Sequence, residues 1–138
     1  MAKIKGNCLC GAVTVTAEVD TPVLRACHCE MCRQHTSGAF VSIKTTPGSV
    51  VADGPAKSYR SSDWAERGFC ETCGSTLWYG TVADQVRHPS AGLFENAAGA
   101  PLVIEFFEDN SPDGYAFAGD HRKLTSSETI KLFTGEDR

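Results

Sequence analysis

Residues 6–13 read GNCLCGAV and residues 67–78 read RGFCETCGSTLW, two close cysteine pairs, each followed at once by a glycine. A glycine after the second thiol lets the backbone turn tightly, so that amides face the sulfurs and both side chains converge on one ion. Between these pairs lies a third cluster, residues 27–38, CHCEMCRQHTSG, with thiols at Cys27, Cys29 and Cys32. Seven cysteines in 138 residues is an odd number, which a fully paired disulfide framework does not accommodate. The economical division is four plus three. Cys8, Cys10, Cys70 and Cys73 make a closed tetrahedral zinc site, and Cys27, Cys29 and Cys32 make an open one. A thioredoxin-like redox couple at Cys70 and Cys73 would need a surrounding βαβ pattern, and none is present.

The two groups have different consequences for the chain. A zinc ion on the first and last pairs ties the start of the chain to its middle, a structural task that contributes several kcal/mol to the folding of a small β domain. The ligands of the middle cluster are local, so it closes no comparable loop and leaves one coordination position to explain.

Length and composition fit one soluble domain covering residues 1–138, with 41% hydrophobic and 22% charged residues. The N-terminal MAKIKGN has no apolar stretch behind its lysines, and no run approaches the ~20 apolar residues of a membrane helix. A cytoplasmic location is therefore expected, where reducing conditions disfavour disulfides and leave cysteines for metal. The formal net charge is −4, and seven thiolates with two Zn²⁺ would make it more negative, which disfavours nucleic acid as a partner. Oligomeric state has no readable signal.

Hydrophobic periodicity is mostly that of strands. Val13, Val15, Ala17 and Val19 alternate with polar residues, as in a half-buried strand, and Ala39, Val41 and Ile43 repeat the pattern before the Pro47-Gly48 turn. Val23 to Ala26, Lys57 to Ser61, Thr76 to Tyr79 and Pro101 to Phe107 are further strand candidates. Residues 83–99 read as a long loop with a short strand at best. Helix is expected only at Glu30 to His35 and at Ser127 to Phe133, the latter capped by Ser126 or Ser127.

Around the open cluster, Arg33 directly follows Cys32 and is the first candidate for binding an anionic substrate or supporting the metal site. His35, three residues beyond Cys32, is a candidate for the open position or for proton transfer. His28 lies between two ligands and alternation turns it away from the metal, which favours an exposed or supporting residue. Glu30 reads as a solvated carboxylate, and Arg25 and Arg67 are weaker anion-binding candidates. Trp64 and Trp78 read as packing residues. His88 and His121 have no readable partner.

The motifs GNCLCGAV, ACHCEMCRQHTSGAF and RGFCETCGSTLW, in this order, resemble the glutathione-dependent formaldehyde-activating enzyme family, which includes relatives of centromere protein V. The resemblance covers residues 6 to 80 and involves all seven cysteines. It implies a mainly β architecture, the β-tent fold of several coiled antiparallel sheets with little helix, stabilised by zinc. It further implies two Zn²⁺ per chain, one structural on Cys8, Cys10, Cys70 and Cys73 and one catalytic on Cys27, Cys29 and Cys32. The implied reaction is that of a carbon–sulfur lyase, joining a small thiol such as glutathione to formaldehyde to give S-hydroxymethylglutathione. Where relatives carry a histidine before an aromatic strand and a tryptophan after it, this chain has Glu105-Phe106-Phe107 and Tyr115. The alternative reading is a non-catalytic, zinc-stabilised interaction module in which a fourth protein ligand closes the middle cluster.

Overall fold

A computed structural model of the chain describes residues 2–134. In chain order its strands are β1 Ala2–Asn7, β2 Thr14–Val19, β3 Leu24–Cys27, β4 Phe40–Ile43, β5 Val51–Asp53, β6 Ala56–Arg60, β7 Ala65–Cys70, β8 Thr76–Thr81, β9 Val86–Pro89, β10 Leu102–Phe106 and β11 Arg122–Lys123. Helix α1, Glu30–Thr36, follows β3, and α2, Ser126–Thr134, follows β11. The expectation of a mainly β protein of several sheets with little helix holds. No helix among the described residues is long and apolar enough to cross a membrane. The backbone groups into two compact units: the chain up to Leu24 with Ser42–Pro101, and Arg25–Val41 with the chain from Leu102 onward.

The first unit contains two sheets, β1-β2-β5 and β6-β7-β8-β9, with antiparallel neighbours throughout. The alternation read from the sequence is the packing pattern of β2 and the residue before it: Val13, Val15, Ala17 and Val19 are all buried. Each such valine stabilises the fold by about 1.5–3 kcal/mol relative to an exposed one. Strand β1 has no such pattern of its own, since AKIKGN carries two lysines, and is defined by its pairing with β2. A Cβ at its Gly6 would lie 2.3 Å from the Leu93 carbonyl oxygen, so only glycine fits there. In the second sheet the β7–β8 hairpin carries Cys70 and Cys73 at its turn, with an irregularity between Gly68 and Phe69. Gly68 lies flat under the buried Trp78 indole, where a Cβ would come within 2.2 Å of the ring. Trp64, expected to pack, is instead 58% exposed. Residues 83–99 hold one short strand, β9, a 3-10 turn, Ala91–Leu93, and a loop in which Asn96, Ala97 and Ala98 are left-handed.

The second unit is built on the sheet β11-β10-β3-β4. Its β10 and β11 run parallel, Ile104 beside Arg122 and Glu105 beside Lys123, which departs from the all-antiparallel expectation. The physical reason is the connection. Phe107 takes a left-handed conformation (φ 54°), and the chain then runs through residues 108–121, long enough for a return in the same direction. Helix α1 starts directly behind β3, with Cys29 at its N-cap, and ends at Ser37 in a left-handed conformation. At α2 the capping residue is Thr125 rather than either serine. The Thr125 N–H donates to Glu128 Oε1 (2.9 Å) and the Glu128 N–H to Thr125 Oγ1 (3.2 Å), a reciprocal capping box.

Candidate metal centres

Each terminal cysteine pair is shaped by its own backbone. The Cys8 N–H donates to the Val13 carbonyl (3.0 Å) and the Gly11 N–H to the Cys8 carbonyl (3.1 Å); the Cys70 N–H donates to Ser75 (3.0 Å) and the Gly74 N–H to Cys70 (2.8 Å). Gly11 (φ 80°) and Gly74 (φ 77°) supply the left-handed turn in each. Amides then face the sulfurs: Val13 N–H to Cys8 Sγ (3.2 Å), Ala12 N–H to Cys10 Sγ (3.5 Å) and Cys73 N–H to Cys70 Sγ (3.5 Å). The Leu9 N–H donates to Ser75 Oγ (3.0 Å), stitching the two turns together across 66 residues.

The four sulfurs all lie within 4.8 Å of one another. Zinc–sulfur bonds of about 2.3 Å in a tetrahedron place sulfurs about 3.8 Å apart. The separations Cys8–Cys10, 3.6 Å, and Cys10–Cys70, 3.8 Å, match that edge and are far from a disulfide bond. The thiols also conflict without a cation. The Ser75 hydroxyl and amide bring Cys73 down to about 5. The Ala12 N–H favours a thiolate at Cys10 as well, but burial and the neighbouring sulfurs outweigh it and push Cys10 up to about 12. A divalent ion removes that conflict, so the donor set fits zinc in charge and in geometry.

The middle cluster is assembled at one strand-to-helix junction. Cys27 ends β3, Cys29 caps α1 and accepts from the Cys32 N–H (3.4 Å), and Cys32 is buried on the first turn. Their sulfurs also lie within 4.8 Å of one another. The thiols of Cys29 and Cys32, together with burial, push Cys27 far up. Among the described residues no histidine, aspartate or glutamate joins either group, so His28 and His35 lie outside the three-thiol set.

Arg33 is tied to the ligand loop, its Nε donating to the His28 carbonyl (3.1 Å). Arg25 shares β3 with Cys27 two residues on, hence the same face, and burial lowers its guanidinium below the ordinary value. Arg67 belongs to the other unit, with its guanidinium over the Tyr79 ring at 4.7 Å. His88 stacks on the same Tyr79, ring centroids 5.6 Å apart. His28, expected to be exposed or supporting, is 2% exposed, with Nε2 2.6 Å from Glu105 Oε1. The other oxygen of Glu105 bonds His121 Nε2. Burial opposes the Glu105 charge, but the bonds from His121 and His28 outweigh it and hold the carboxyl below the usual range. Sequence patterns do not reveal this role of Glu105 and His121; the one signal is a single acid inside the apolar run LVIEFF.

Fold and donor sets define a mainly β protein with two thiol clusters suited to metal. Residues 3–110 match the family model of the glutathione-dependent formaldehyde-activating enzyme. A Schizosaccharomyces pombe (strain 972 / ATCC 24843) protein described as an uncharacterized lyase is 34% identical over 133 residues, covering 95% of this chain and 97% of that one. A crystal structure of a Rhodobacter sphaeroides protein is similar in fold, with a TM-score of 0.56 at 19% identity, over 72% of this chain and 100% of that chain. The chain belongs to the glutathione-dependent formaldehyde-activating enzyme family.

Proposed function

We propose that the chain is a zinc-dependent carbon–sulfur lyase that joins a small thiol to an aldehyde at an open centre on Cys27, Cys29 and Cys32. Glutathione and formaldehyde are the pair that the family description names. Cys8, Cys10, Cys70 and Cys73 hold a second, structural zinc. The observation that carries this reading is the make-up of the middle group: three thiols, Cys27, Cys29 and Cys32, that converge within 4.8 Å of one another at one strand-to-helix junction.

Cys27, Cys29 and Cys32 would hold the zinc, which when bound would lower the pKa of an incoming thiol and polarise a carbonyl oxygen. Addition forms one S–C bond, the carbonyl π pair moves to oxygen, and the proton lost by the thiol ends on that oxygen. The reverse breaks the same bond, and no electrons are exchanged with a third party. Cys27, Cys29 and Cys32 as thiolates would leave a zinc site net negative, so cations nearby would lower the cost of bringing an anionic thiol to it. Arg33, fixed against the ligand loop, and Arg25, on the Cys27 face of β3, are assigned that task and the binding of a substrate carboxylate. His35, one turn along α1 from Cys32, is assigned the proton.

The test combines metal analysis with exchange NMR of formaldehyde and glutathione. Two zinc ions per chain and adduct exchange faster than the uncatalysed reaction are expected. One zinc per chain, or exchange at the uncatalysed rate, would remove the reading.

A further inference from the structure

Behind the three-cysteine group lies a buried network that the proposed reaction does not use. Glu105, 3% exposed, bonds His28 through one carboxylate oxygen and His121 through the other. A carboxylate inside a protein is costly unless donors satisfy it, and it stands here in an otherwise apolar strand. Its place in the chain gives it a use. His28 is the residue between Cys27 and Cys29, and in extended backbone successive side chains point to opposite sides. Holding the His28 ring therefore constrains the peptide units on either side of it, which carry Cys27 at the end of β3 and Cys29 at the start of α1. The backbone of His28 is held as well: its N–H donates to the Phe106 carbonyl (3.0 Å) and its carbonyl accepts from Arg33 Nε. Phe117 backs the ring, with centroids 5.8 Å apart.

We infer that Glu105, braced by His121, is a positioning residue for the three-cysteine centre: through His28 it fixes the peptide that aims Cys27 and Cys29. An apolar residue of similar size would fill the space but leave the His28 ring free to turn, and the two thiols with it. The inference rests on the reading of this group as a metal centre. Partners standing behind metal ligands are worth about 10–100-fold in metal affinity.

Cobalt(II) titration against a competing chelator tests it, with the bands of the two groups assigned from Cys29→Ser and Cys73→Ser. The wild type is expected to take two cobalt ions. Glu105→Gln, which keeps the shape but offers one acceptor oxygen, is expected to weaken the three-cysteine group about 10-fold, and Glu105→Ala up to about 100-fold, with shifted d–d bands. The four-cysteine group should keep its affinity and reports in the same chain that the protein is folded; if the alanine variant does not fold, the glutamine variant decides. Unchanged affinity and bands at the three-cysteine group would overturn the inference. Equal loss at both groups would also overturn it, since that is general packing damage. A wild type that takes one cobalt would instead remove the open centre itself.

Discussion

Cys29 and Cys73 are both half-buried thiols at tight backbone turns, yet their loss should have different effects. Cys29→Ser opens the proposed catalytic centre, so thiol-dependent turnover should vanish while the melting temperature moves by only a few degrees. Cys73→Ser would open the proposed closed site, where a bound zinc would contribute several kcal/mol, and melting should fall by about 10 °C or more. Thermal melting followed by circular dichroism, beside turnover, checks both; equal unfolding by the two substitutions would make the middle group structural too. Arg33→Met should raise KM for glutathione about 10-fold and that for a thiol without carboxylates much less. Steady-state kinetics with the two thiols decide this, and an equal rise for both would assign Arg33 only to holding the His28 carbonyl. At this scale the cysteines are legible in the sequence because each pair or triplet is local in the chain, and His28, read there as turned away from the metal, is bonded to Glu105. The Glu105 network is not legible. Its partners lie 77 and 16 residues away, distances over which no periodicity carries information.

Among the elements, strands with their own alternation, such as β2, are readable from the amino-acid pattern alone. β1, β5, β7 and β11 are not, because they are short, charged or defined by what pairs with them: β7, AERGFC, puts Glu66 and Arg67 in mid-strand. Its Gly68 shows what the pairing demands. Gly68→Ala would drive a methyl group into the Trp78 ring and should cost about 1–3 kcal/mol, measured by denaturant unfolding. An unchanged midpoint would mean that the indole moves freely. The capping of α2 leads to a pH dependence. The Thr125 N–H and hydroxyl hold Glu128 below the usual carboxylate range, and the Ser126 hydroxyl and N–H do the same for Asp109. A carboxyl depressed in the folded state contributes stability that is complete above its unfolded pKa of about 4 and is lost as pH falls through the lower folded value. Amide exchange of α2 should therefore be protected evenly from about pH 5 to 8, after allowing for intrinsic rates, and should loosen below about pH 4. Loosening on raising the pH would contradict the capping role.

For the molecule as a whole, the order of three cysteine motifs is enough to indicate a mainly β fold and its family. The parallel pair β10–β11 is not legible, because it depends on the path of residues 107–121, which carry no strand pattern. Each metal group is built wholly within one unit, the four-cysteine group in the first and the three-cysteine group in the second. A chelator should accordingly abolish turnover, by emptying the open group, before it lowers the melting temperature of the chain. X-ray absorption at the zinc edge tests the proposal that one of two zinc ions keeps a position for a thiol. Purified protein should contain two zinc ions per chain with about 3.5 sulfur neighbours on average, rising to about 4 when glutathione is added. An average already at 4 without thiol, or one that glutathione leaves unchanged, would contradict the claim.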